Sequence, residues 1–326
     1  KERKLMTLEQ FVNKVRNAAC AYFGDGLTIT AQKIMKNNGV ELTGLIFMER
    51  GRDIAATIYL DSYYEEYEEG MPLGEIVRKI IQAYEEHRPM EKLDLDFFRD
   101  YGQVRPRLAC RLVNLEKNRE LLEQVPHQVW LDLAVVPCCI LLGDELGCAC
   151  ILIRYSHIRR WKIEEDELLQ DARTNMQQIL RPECVPMKDF LYEMMRRAVA
   201  EQLPEAEPGK EAEQEQLLDR VAGLLTRRRT SGGKEMFILS NAQHFYGASV
   251  LLYPDVLRTL AGRKKGFFIL PSSVHEVLLL ADTGRESRFE LYQMVNEVNE
   301  RNVPQEEFLS DNVYYFGREE GRIRIL

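Results

Sequence analysis

Pairs of β-rich runs joined by short glycine-containing links, each followed by an amphipathic helix, constrain this chain more than any other feature. Val40–Glu49 and Asp53–Leu60 flank Arg50-Gly51-Arg52. A link that short between two such runs predicts a β-hairpin. The helix expected next runs from Glu75 to about Glu86, with Ile76, Val77, Ile80, Ile81 and Tyr84 on one side. Gly70-Met71-Pro72 breaks the chain before it, and Arg88-Pro89 ends it, because a residue preceding proline resists the α region.

The theme returns twice. Val129–Leu142 and Cys148–Tyr155 surround Gly143–Gly147, and a helix near Glu164–Leu180 follows with Leu168, Leu169, Ala172, Met176 and Ile179 on one face. Strands at Met236–Ser240, Ser249–Leu252, Phe267–Leu270 and Val274–Leu280 precede a helix at about Glu286–Arg301, with Phe289, Tyr292, Val295 and Val298 expected inward. Val313–Phe316 and Arg322–Leu326 read as a closing hairpin around Gly317–Gly321. Two further helical stripes lie at residues 5–23 and at Lys188–Leu203, the second carrying Phe190, Leu191, Met194, Met195 and Ala198. The expected fold class is therefore α+β: recurring hairpin-plus-helix units, mostly antiparallel sheets, helices packed on one side. The units are spaced too unevenly to be a proven duplication. The expected division is 1–100, 101–203, a flexible linker or insertion at 204–233, and 234–326. Within that linker, residues 204–215 are polar and acidic, Gln216–Arg229 reads as a short helix, and Ser231-Gly232-Gly233 is a joint.

Several function classes are disfavoured. No βαβ rhythm opens on a glycine-rich turn, so a dinucleotide or P-loop site is not expected. A net charge of −8 gives no general drive toward nucleic acid or anionic membranes. The longest apolar run, Leu131 to Leu142, is interrupted by Asp132 and Pro137 and falls short of the roughly 20 residues a membrane span needs. Seven cysteines, an odd number, with no apolar leader before them, fit reduced thiols in a cytoplasm.

Candidate sites are few. Ser272, Ser273, His275 and Glu276 supply the ingredients of a nucleophile, base and acid. On a strand, however, Ser273 and His275 would lie roughly 7 Å apart on one face with Glu276 on the other. Asn241, His244 and Tyr246 occupy a polar loop between strands, where binding residues often sit. Tyr63, Tyr64 and Tyr67 lie in an acidic run that reads as an amphipathic helix with partly packed rings. Cys138, Cys139, Cys148 and Cys150 lack the Cys-x-x-Cys knuckle of structural zinc and sit among Val, Ile, Leu and Ala, so they read as small core residues. Arg227-Arg228-Arg229 reads as a basic helix C-terminus. No metal and no cofactor are expected.

Val40-Glu-Leu-Thr-Gly-Leu45, Ile54–Tyr67, Tyr246-Gly-Ala-Ser-Val-Leu-Leu-Tyr-Pro254 and Leu270-Pro-Ser-Ser-Val-His-Glu-Val-Leu278 together resemble an uncharacterised bacterial family, catalogued as domain of unknown function 5688. Ile151–Trp161 and the helix after it fit the same pattern, so the resemblance spans most of the chain outside 204–215. A more distant likeness to a second uncharacterised bacterial family lies in Ala172-Arg-Thr-Asn175 and the Phe267–Leu280 strands. The resemblance implies a bacterial cytoplasmic protein with one integrated architecture, and it implies no activity or site residue. The expectation is a non-enzymatic binding or regulatory protein whose partner is another protein, a peptide or a second copy of the chain. The alternatives are a hydrolase or transferase using Ser272 or Ser273 with His275, assisted by Asn241 or Glu276, and a homo-oligomeric structural component.

Overall fold

The computed structural model describes residues 5–51, 55–88, 96–143, 147–200, 211–229, 235–271 and 273–326. The chain forms two compact units: one is Lys1–Pro106 with Leu141–Ala149, the other Arg107–Ile140 with Cys150–Leu326. The fold is α+β, with three sheets whose described registers are all antiparallel.

The first unit opens with α1 (Leu8–Phe23). Thr7 Oγ1 accepts the Gln10 backbone N–H at 3.3 Å, and Gln10 Oε1 accepts the Thr7 N–H at 3.2 Å. This reciprocal capping box sets the helix start. Strands β1 (Leu27–Met35), β2 (Glu41–Glu49) and β3 (Ala55–Tyr59) form a meander in that order. Asn38 and Gly39 turn β1 into β2 with φ of +61° and +70°, the left-handed region that short polar residues and glycine tolerate. Then come α2 (Asp61–Glu68), α3 (Leu73–His87) and α4 (Tyr101–Val104). Phe11, Val15, Leu45, Phe47, Ile76, Ile80 and Tyr84 make one buried core. The Phe47 and Tyr84 rings stack at 4.5 Å between centroids.

In the second unit β4 (Leu108–Asn114) leads to α5 (Arg119–Leu122) and β5 (Gln128–Trp130); then come β6 (Leu133–Gly143) and β7 (Gly147–Leu152), whose Leu141–Ala149 stretch is counted with the first unit. The sheet runs β4-β6-β5, and β7 also pairs with β6. Helices α6 (Tyr155–Trp161) and α7 (Glu165–Ile179) follow, with Leu168, Leu169, Ala172 and Met176 of α7 buried as their spacing predicts. After β8 (Pro182–Pro186), α8 (Met187–Ala200) packs against α9 (Glu211–Arg229). The helix of the expected linker thus begins at Glu211, five residues before the expected Gln216. Residues 204–210 and Ser231-Gly232-Gly233 lie outside the described set. Strand β9 (Met236–Asn241), α10 (Val256–Ala261), β10 (Gly266–Pro271), β11 (Val277–Ala281), α11 (Arg288–Asn302), β12 (Tyr314–Gly317) and β13 (Arg322–Ile325) complete the unit. Their sheet is ordered β13-β12-β10-β11-β9-β8.

Four expectations need correction. The runs that form β1 and β4 were not assigned as strands. Gly247–Leu252, expected to contain a strand, is a 3-10 helix. Strand β11 starts at Val277, so Val274 and His275 lie in a bend before it. In helix α11 Val295 is buried as expected, but Leu291 is buried beside it and Phe289, expected inward, is 70% exposed.

Asp132, in the turn between β5 and β6, holds the segment leading into β12. Its Oδ1 accepts from Tyr314 Oη at 2.7 Å, and its Oδ2 from Ser310 Oγ at 2.6 Å and Asn312 Nδ2 at 3.0 Å. Tyr314 and Ser310 are fully buried, so removal of the carboxylate strands hydroxyls away from water. Asp132→Ala is expected to cost about 3 kcal/mol, because charged acceptors contribute more than neutral ones and buried donors are left unpaired. Urea unfolding measures this, and a loss below about 0.5 kcal/mol would contradict the role.

Candidate functional site

The loop after β9 and the bend before β11 meet because those two strands are neighbours, with Leu239 opposite Val277. Asn241, fully buried, organises the loop from within. Its Oδ1 accepts the backbone N–H groups of Gln243 (3.1 Å) and Phe245 (3.2 Å), and its Nδ2 donates to the Phe245 carbonyl at 2.8 Å. His244 and Tyr246 both sit at φ +49°, a region uncommon for residues with a Cβ and costing of order 1 kcal/mol or more. Gly247 then passes so close to the bend that a Cβ there would overlap Ser240 Oγ and the His275 carbonyl oxygen. Ser240 Oγ donates to that carbonyl at 2.8 Å, and Ala248 N–H donates to the Val274 carbonyl at 3.2 Å.

This path places the Tyr246 ring flat against the His275 imidazole, 5.5 Å between centroids and 12° from parallel. The Tyr246 N–H donates to His275 Nδ1 at 3.3 Å. Nδ1 is therefore the acceptor and Nε2 carries the proton, with Glu307 Oε1 4.0 Å from Nε2. Ser273 Oγ accepts the His275 backbone N–H at 3.0 Å in the bend. Its oxygen thus takes a backbone donor, and among the described residues no hydrogen bond joins Ser273 to the His275 imidazole. The Glu276 carbonyl accepts the Ser273 N–H at 3.3 Å. Ser272 lies outside the described residues.

Beneath Tyr246 lies a group that the sequence reading passed over. Arg111 stands in the middle of β4, opposite Val136 of β6, and only 8% of it is exposed. Its Nη1 donates to Tyr246 Oη at 2.9 Å, and its guanidinium carbon is 5.1 Å from the Tyr246 ring centre. Its Nε has no hydrogen-bond partner. The charged groups acting on it are the Tyr246 phenol and the Cys150 and Cys138 thiols, which outweigh the desolvation of the cation and raise its pKa. No carboxylate is among them. Burial pushes the Tyr246 phenol up to about 12, so it is neutral near pH 7. Of the two thiols acting on Arg111, that of Cys150 is the more acidic. A hydrogen bond from the Cys138 thiol, the Arg111 charge and a bond from Tyr246 lower the Cys150 pKa to about 7 against the opposing effect of burial. Cys138 is held far up by the same bond and by its own burial. Cys110 and Cys139, by contrast, are pushed up to about 12 by desolvation. Among the described residues no group of three or more His, Cys, Asp and Glu has metal-binding geometry.

The other sequence candidates sit elsewhere. His244 is exposed, its Nε2 3.6 Å from Glu183 Oε2. In the first unit Tyr67 is buried and Tyr63 and Tyr64 are partly so, packed on the core that contains Phe11. Tyr64 Oη donates to the Met6 carbonyl at 2.8 Å. These three rings are committed to the fold. The basic run ends α9 at Arg229, as expected.

A second feature is an exposed apolar surface on α8 and α9. No residue of the fourteen in α8 is buried, although its sequence is amphipathic. Phe190 and Met194 are 41% and 37% exposed, and Leu217 and Leu224 of α9 are 49% and 58% exposed. Each pair is spaced four or seven residues apart, which puts its two members on one helix face. The helices are held to each other by Arg196, whose Nη2 and Nε donate to Glu215 Oε1 (2.8 Å) and Asp219 Oδ1 (2.9 Å). Leu218 and Ala222 of α9 are buried.

No curated protein and no solved structure shows a match to the chain. The profile of a family of unknown function, DUF5688, matches residues 8–318, and the chain belongs to that family.

The loop geometry yields a prediction. Gly247→Ala forces a methyl group against the Ser240 hydroxyl and a carbonyl oxygen, an overpacking expected to cost about 1–3 kcal/mol. Thermal unfolding checks this, and the aromatic near-ultraviolet signal of Tyr246 should change with it. Unaltered stability and spectrum would show that the loop and the bend do not pack this closely.

Proposed function

We propose that this DUF5688 member is a non-enzymatic binding or regulatory protein that recognises a protein partner through the apolar surface of α8 and α9. The observation that carries the reading is that no residue of α8, amphipathic in sequence, is fully buried, and that Phe190 and Met194 stay 41% and 37% exposed. An amphipathic helix ordinarily gains its stability by burying its apolar face. Phe190, Met194, Leu217 and Leu224 remain in water, where each forgoes roughly 25 cal/mol per Å² of apolar area that a partner could cover. A helix presented this way fits the recognition of an apolar groove or a second amphipathic helix, with residues at i, i+4 and i+7 as anchors. The Ser273–His275 bend favours this reading over a hydrolase built on those two residues. The hydroxyl and the imidazole serve the backbone around them.

A photo-crosslinking amino acid placed at Phe190 or Leu224, with one at exposed Arg318 as control, tests this in cells expressing the full chain. The expected result is an adduct of one defined mass at Phe190 and Leu224, lost in a Met194→Asp background and absent at Arg318. An adduct whose mass is that of a second copy would make the partner the chain itself. Crosslinks at Phe190 and Leu224 no stronger than at Arg318 would overturn the proposal. Met194→Asp is expected to shift unfolding free energy by less than about 1 kcal/mol, since the residue is a surface one.

A further inference from the structure

The cluster under Tyr246 holds two thiols in contact beside a buried cation, and this combination has a chemical use apart from the α8–α9 surface. Cys138 and Cys150 come from paired neighbouring strands, β6 and β7. The Cys138 thiol is hydrogen-bonded to the Cys150 sulfur. Cys138 is buried, whereas Cys150 keeps part of its surface in solvent. Arg111 is more than nine-tenths buried, its Nε lacks a partner, and the neighbours acting on it include no carboxylate. Isolated buried cations cost several kcal/mol, so an anionic sulfur at position 150 is the state that suits the guanidinium. Tyr246, held by the strained loop, donates the remaining hydrogen bond.

We propose that Cys150 is an oxidant-reactive cysteine that hydroperoxides modify, and that Cys138 is its resolving thiol. In the first step the Cys150 thiolate attacks a peroxide oxygen. The S–O bond forms, the O–O bond breaks, and hydroxide leaves to be protonated by solvent. The sulfur is oxidised by two electrons to a sulfenic acid and the peroxide is reduced. In the second step Cys138 Sγ attacks the Cys150 sulfur. The S–S bond forms, the S–O bond breaks, and the hydroxyl departs with the Cys138 proton as water. Reactive thiols of this kind are thiolates in electropositive, partly exposed surroundings. The disulfide removes the negative charge facing Arg111, so oxidation leaves that cation without its anionic partner.

The full chain, reduced and then exposed to graded hydrogen peroxide, provides the test. Free thiols are capped with one alkylating label before reduction and a second label after it, and each cysteine is read by peptide mass spectrometry. The expected result is that Cys138 and Cys150 lose the first label together and appear as one linked peptide before exposed Cys20 is oxidised. In Cys138→Ala, a sulfenic-acid trap such as dimedone should mark Cys150. Oxidation of Cys20 while Cys138 and Cys150 still take the first label would overturn the proposal. So would a linked pair other than Cys138–Cys150. The wild-type measurement decides the matter even where Cys138→Ala fails to fold.

Discussion

A guanidinium buried in the middle of a strand is the constraint on which the interior of the second unit depends. Arg111 is all but withdrawn from water in β4, and the neighbours that offset its desolvation are a tyrosine hydroxyl and two sulfurs. Removing a cation from water costs several kcal/mol unless its donors and its charge are met. The surrounding features follow from meeting them. The loop after β9 takes two left-handed residues so that Tyr246 can reach Nη1. Gly247 lets the loop press on the bend before β11, and the His275 ring closes over the tyrosine. The Cys150 thiol, on the strand paired with β6, acts on the same guanidinium and has its pKa lowered by Cys138 and by Arg111.

The Ser273–His275 bend is drawn into the same arrangement. The bend gives the Ser273 hydroxyl to a backbone N–H, and the Tyr246 N–H occupies the one unprotonated nitrogen of His275. Elsewhere α8 and α9 expose apolar side chains and are held to each other by the Arg196 clamp. The two features lie on different elements, and neither needs the other to act.

The parts of the fold legible in the sequence are those whose burial is one-sided. Helices α3 and α7 bury one stripe, and the stripe appears as i, i+4 spacing. The β12–β13 hairpin announces itself by two short runs around a glycine-bearing turn. β4 was missed for the converse reason: all seven of its residues are buried, so it shows no alternation, and a central arginine makes it look polar. Gly247–Leu252 is apolar over a length at which strand and helix cannot be told apart by period. In α11 the expected inner face included Val295, which is buried, but also the large Phe289, which is exposed, and left out Leu291, which the structure buries. The loop and the bend could be linked in advance because both flank strands. Arg111 could not, since 135 residues separate it from Tyr246 and a single charged residue in a strand carries no local signal. The cysteines were visible only as small apolar residues, and their grouping around a cation is a property of strand pairing.

The measurement that tests this account most directly is the titration of thiolate absorbance near 240 nm in the folded, reduced chain, compared with Cys150→Ser. A thiol whose pKa is depressed by Arg111 and Cys138 is ionised at lower pH than an ordinary one, so its absorbance should rise through about pH 7. It should disappear on acidification and be missing from Cys150→Ser. A chain with no thiolate signal until the ordinary range near pH 8.5, with wild type and Cys150→Ser superimposed, would mean that Arg111 is not balanced by Cys150.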